Sequence, residues 1–208
     1  MSRFLIFITT LLFLSACTAF EKGIESRISE KTINGQQQTS SLDIKERNRE
    51  CVEILNLPGI SLEFELQNRI TTHDSVWLLI IPIHWTNGRV DYSRNKKGKY
   101  KLRMSVTFNE KGYTFDYRMV KLYVDGKTFS PIDLRSWETI QDDIDNGKSI
   151  ISFDDHLGRK VFYLSFDIKT PFPDQDIKLD LSEALINNNF PSIPVIQFKE
   201  HKWSRWYS

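Results

Sequence analysis

A mainly β, antiparallel fold is the class this sequence predicts. Three observations carry that expectation. Short runs alternate apolar and polar residues, clusters of Asn, Asp, Gly and Pro separate them, and no strand–helix–strand rhythm appears. Within the class the pattern favours a β-sandwich, with an immunoglobulin-like arrangement as first choice and one or two short helices added. At 208 residues the chain suits a single domain plus extras, and its 14 Phe, 7 Tyr and 5 Trp can build a substantial core.

The amino terminus is read first. Arg3 supplies positive charge, and Phe4 to Leu14 is an apolar stretch. That stretch falls short of the roughly 20 residues a membrane helix needs, and it suits the core of a secretion signal over residues 1–16. The residues that follow, Leu14-Ser15-Ala16-Cys17, resemble the bacterial lipobox: an aliphatic residue, two small residues, then cysteine. The resemblance covers the signal alone. It implies a diacylglyceryl group on the Cys17 sulfur, cleavage before Cys17 by signal peptidase II, and acylation of the new amine. One acyl chain holds weakly and two anchor stably, at roughly 0.8 kcal/mol per buried CH₂. Thr18 stands where an Asp retains Gram-negative lipoproteins in the inner membrane, so the resemblance implies sorting to the outer membrane, periplasm-facing, in a Gram-negative source. Residues 17–41 are polar, nearly free of aromatics and end in Gln36-Gln37-Gln38, which predicts a lipidated flexible tether. The globular domain is then expected over residues 42–208.

Leu42 to Leu55 predicts a helix. Ser41 stands as N-cap, Asp43 in the first turn, and Ile44, Cys51, Val52 and Leu55 near one face. Asn56-Leu57-Pro58-Gly59 ends it. Strands are predicted next: Ile60 to Gln67 by alternation, then the apolar run Val76 to Trp85, where Pro82 demands an edge or a bulge. Tyr100 to Phe108 alternates cleanly, and Asn109 to Gly112 reads as a hairpin turn into a strand from Tyr113. Apolar parity switches near Met119 and Val120, implying a bulge or burial on both faces. Asp125-Gly126 marks another turn. Trp137, Ile140 and Ile144 predict a short helix begun by Ser136, with strands following over Ser149 to Phe153, Lys160 to Ile168, Ile177 to Leu181 and Ile193 to Lys199.

Removing residues 1–16 takes away only Arg3 and leaves 27 basic and 27 acidic residues, so no net field draws the chain to nucleic acid or to anionic lipid. Cys51 is the second cysteine. It reads as a small buried hydrophobe, the alternatives being an intermolecular disulfide or a reactive thiol. His73, His84, His156 and His201 form no metal-binding pair. Asp154-Asp155-His156 could hold a metal or move protons, but a hairpin loop explains it better. Asp143 to Gly147 resembles a calcium loop only at its start, because the fifth and sixth positions are Gly147 and Lys148. Glu63 and Glu65 share a strand face and read as solvated charges. Arg94 to Lys101 reads as a basic loop, and His201 to Tyr207 as an aromatic and cationic tail that suits either an interface or a terminal edge strand.

With no catalytic motif, no cofactor and no metal site expected, the leading expectation is a non-catalytic binding or envelope-assembly module with an envelope protein as partner. The alternative is a periplasmic inhibitor or immunity protein against an envelope-targeting enzyme. An envelope hydrolase using Asp154, Asp155 and His156 stands third.

Overall fold

The computed structural model describes residues 18–30, 32, 40–47, 50–76, 88–91, 99–136, 147–148, 150–153 and 157–207. The predicted signal, the Gln36–Gln38 tract, the run from Trp77 to Trp85 and the predicted Trp137–Ile144 helix lie outside them.

The strands in chain order begin with β1 (Thr18–Ile28), β2 (Ser41–Arg47), β3 (Glu50–Leu57), β4 (Ile60–Glu65), β5 (Ile70–Val76) and β6 (Gly88–Asp91). Then come β7 (Tyr100–Phe108), β8 (Thr114–Asp116), β9 (Lys121–Val124), β10 (Lys127–Phe129) and β11 (Asp133–Ser136). The last are β12 (Ile150–Ser152), β13 (Gly158–Phe166), β14 (Ile177–Asp180), β15 (Leu185–Ile186) and β16 (Ile196–Tyr207). They form a seven-stranded sheet in the order β10-β9-β14-β16-β1-β5-β6, a six-stranded sheet in the order β11-β13-β7-β4-β3-β2, and a three-stranded sheet in the order β12-β8-β15. Every pairing is antiparallel, so the expected mainly β class is what the chain adopts.

Alternation explains the inner face. On β7, Tyr100, Leu102, Met104, Val106 and Phe108 are all buried, and β13 answers with Phe162, Leu164 and Phe166. From the seven-stranded sheet come Leu122, Ile177, Leu179, Ile196 and Phe198, with Phe64 meeting Phe198 edge-on at 5.9 Å between ring centres. A second aromatic group ties the small sheet to the six-stranded one. Phe108 stacks on Phe153 at 4.2 Å, and Phe162 lies 5.0 Å from Phe115 and 6.1 Å from Phe153.

Turn chemistry accounts for several joints. Asp125 and Gly126 both take positive φ, 48° and 77°, between the paired residues Val124 and Lys127, which is the two-residue turn that matches strand twist. Gly59, at φ 74°, closes the β3–β4 hairpin, where Leu57 pairs with Ile60. Tyr113 reaches back to this joint, its hydroxyl donating to the Pro58 carbonyl at 2.9 Å, and burial pushes that phenol up to about 12.

The structure corrects four expectations. Residues 42–55 are not a helix. They form the β2–β3 hairpin, with Ser41 opposite Asn56 and Arg47 opposite Glu50, and the helical spacing of Ile44 is illusory because that side chain is exposed. The turn after β7 does not return the chain to β7. Instead β8 leaves for the small sheet and pairs β12 and β15. The parity switch is no bulge but a 3-10 turn over Tyr117–Met119, begun where the Asp116 carboxylate accepts from the Arg118 N–H at 3.1 Å. The Arg118 side chain also donates to Asp116 and holds its carboxyl below the ordinary value of 3.8.

The fourth correction concerns the flexible tether. Thr18–Ile28 is a strand, hydrogen-bonded along Ala19–Ile28 to β16 and along Thr18–Ile24 to β5. From Ala19 to Ile24 it has a paired neighbour on each side, which satisfies the backbone there. Composition hid it because β1 faces part-exposed surroundings from Gly23 to Arg27, so no alternation of apolar residues marks it. The ordered chain continues to Thr32, whose hydroxyl accepts from the Gln197 N–H at 3.0 Å.

Candidate functional site

The ribbon of β5, β1 and β16 brings together a group of charged and aromatic residues in the second half of β1. Its register sets Arg27 opposite Lys199, Glu25 opposite His201 and Gly23 opposite both Trp203 and Thr71. These residues share one face because alternate residues of a strand do. Arg27 donates to Glu25 Oε1 through Nε at 2.9 Å and Nη2 at 2.8 Å. The Arg69 Nε lies 3.8 Å from Glu25 Oε2, and its guanidinium sits 4.1 Å over the Trp203 ring. Burial, with Arg27 adding to it, lowers the His201 pKa and favours a neutral imidazole. The Trp203 indole lies across Gly23, so a Cβ there would meet Trp203 Cζ2 at 2.5 Å and the Ile70 carbonyl oxygen at 2.6 Å.

Where β1 leaves this ribbon it meets the other sheet. The Glu53 carboxylate, from β3, accepts from the Ile28 N–H. Burial raises the Glu53 pKa above 4.5, outweighing the opposing effects of the Ile28 bond and of Arg27. Such a group adds stability that is fully present below the unfolded value and is lost as pH rises through the folded one. Glu53→Gln, which keeps an acceptor, is expected to flatten that loss in chemical denaturation at a series of pH values above 4.5. Glu53→Ala is expected to cost about 1–3 kcal/mol at every pH, because the Ile28 donor loses its partner. Equal behaviour of the two variants would contradict this role.

A second polar group lies on the outer face of the six-stranded sheet; it corrects the reading of Glu63 as a solvated charge, while Glu65 is exposed as expected. Glu63 is buried at 9% exposure, and Arg159 donates to its two oxygens at 3.0 Å each. Arg103 lies 3.5 Å from Glu63 and 3.3 Å from Glu65, and Arg159 also donates to Ser105 Oγ at 3.1 Å. The two carboxylates therefore share the Arg103 guanidinium. Cross-strand pairing explains this cluster, since Glu63 sits opposite Ser105 and Glu65 opposite Arg103.

The remaining predicted residues fall as follows. Cys17 lies outside the described residues, while its neighbour Thr18 opens β1. Cys51 is on β3, opposite Glu46, and not on a helix. His73 is on β5, opposite Glu21 and Gly88. His84, Asp143 to Asn146, Asp154, Asp155 and His156 lie outside the described residues, as do residues 94–98 of the basic loop; Lys99 and Lys101 of that loop are exposed and flank the buried Tyr100. The His201–Tyr207 tail is strand, paired with β1 throughout, and its first half contributes Trp203 and His201 to the ribbon. Sequence reasoning missed Arg69, Glu25 and Gly23, for which pairing between strands far apart in the chain was the needed signal.

Among the described residues no three His, Cys, Asp or Glu side chains gather to hold a metal ion, and no helix is long and apolar enough to cross a membrane. The ribbon offers charge, hydrogen bonds and an aromatic plane, the means of non-covalent recognition. No protein-family model, no curated protein and no solved structure matches this chain.

Proposed function

We propose that the chain is a lipoprotein of the outer membrane, held by lipid on Cys17 and facing the periplasm, whose β-domain is a non-catalytic binding or envelope-assembly module. Its partner is another envelope protein. The observation that carries the reading is the Leu14-Ser15-Ala16-Cys17 sequence standing directly before β1, where a secretion signal would end. Support for binding over catalysis comes from how the acidic groups are used. Glu25, Glu63 and Asp116 are each engaged by arginine, which suits fixed surface structure better than proton transfer.

The test is a crosslinking pull-down of the full chain from its native envelope, beside a Cys17→Ala control. One envelope protein enriched with the wild type and lost with the control is the expected result. Equal recovery with both forms, or no protein enriched in repeated experiments, would contradict the reading.

A further inference from the structure

We propose that the free end of the β5–β1–β16 ribbon is seated in the interfacial layer of the bilayer, with no spacer between lipid and fold. This rests on the reading of Cys17 as lipidated. Thr18 is already paired, opposite Val76 of β5, and the next rows set Ala19 opposite Tyr207 and Phe20 opposite both Trp206 and Asp74. Consecutive Cα atoms lie about 3.8 Å apart, a strand advances roughly 3.3 Å per residue, and paired strands lie roughly 4.8 Å apart. The rows of Tyr207 and Trp206 therefore fall within about 10 Å along the strands from Cys17. Each interfacial layer is roughly 5–8 Å deep, so the Tyr207 row falls within it and the Trp206 row at its outer margin.

Composition fits that position. Phe20, Trp206 and Tyr207 occupy neighbouring backbone positions in the second and third rows from the anchor, and Trp and Tyr are the residues that favour a membrane–water interface. A flexible leader would let the domain drift from the surface. Here the junction leaves it no such freedom, because the residue after Cys17 belongs to the sheet.

The opposite end supplies a control. Thr128 on β10 aligns, through Tyr123 and Lys178, with Gln197, nine residues along β16 from Trp206. That separation is roughly 30 Å. The full-length lipoprotein, with Cys17 acylation read by mass spectrometry, would be placed in vesicles of phosphatidylethanolamine and phosphatidylglycerol. It would carry Trp206→benzoylphenylalanine, Tyr207→benzoylphenylalanine or Thr128→benzoylphenylalanine, with folding monitored by circular dichroism. Illumination is expected to give phospholipid adducts at 206 and 207, several-fold above those at 128. Acylated, folded protein with no excess of adducts at 206 and 207 overturns the seating and leaves the anchor standing. An unacylated Cys17 overturns both.

Discussion

Gly23→Ala destabilises the domain by about 3 kcal/mol, in the upper range for forcing atoms into a filled site. General propensity points the other way, since alanine in a strand is favoured over glycine by roughly 0.5–1 kcal/mol. The sign of the measured change therefore decides whether β1 is built into the sheet as described. A methyl group at position 23 would meet the Trp203 ring and the Ile70 carbonyl, and the carbonyl belongs to the backbone of the neighbouring strand, which cannot yield without parting the ladder. Trp203→Ala in the same chain should restore only part of the loss, because it removes the ring and leaves the carbonyl. Urea unfolding of the three variants gives the answer. A neutral or stabilising Gly23→Ala would mean that β1 and β16 do not pair in this register.

Phe162→Ala is expected to cost about 3–5 kcal/mol, as truncation of a wholly buried aromatic does. Phe162 is fully buried on β13 and touches Phe115 of the small sheet and Phe153 beside it. Removing it empties the place where two sheets meet, and the surrounding strands are too tightly paired to close over the gap. A 24.5 kDa chain of ordinary stability would be left marginal at 37 °C. Phe162→Leu, which keeps most of the volume, should retain most of the stability. A loss below about 1 kcal/mol for the alanine variant would show that the site is not core.

Much of this fold was legible because burial is one-sided. β7 and β13 pack one face on the core, so their alternation announces them, and Asp125-Gly126 marks its turn by the backbone it needs. Two kinds of element were not legible. β1 pairs with β16, whose residues lie at the far end of the sequence, and its side chains from Gly23 to Arg27 are only part-buried, so composition alone suggested a solvated tether. The β2–β3 hairpin projects beyond the four-residue pairing of β3 with β4, and with only part of it packed its apolar residues fell by chance at helical spacing. Strand order is a further quantity that alternation does not encode, because period two states which face is buried and not which strand lies alongside. The candidate site divides in the same way. The Leu14-Ser15-Ala16-Cys17 resemblance rests on four adjacent residues, whereas the Arg69–Trp203–Glu25 group exists only once distant segments are in register.

The proposed anchoring, orientation and seating of the ribbon all depend on lipidation of Cys17. The decisive measurement is the mass of the amino-terminal peptide of the protein extracted from its native membrane. A mature chain that begins at Cys17 and carries a diacylglyceryl thioether and an acylated amine is the predicted result. A chain that begins elsewhere, or a Cys17 recovered as a free thiol, would contradict it.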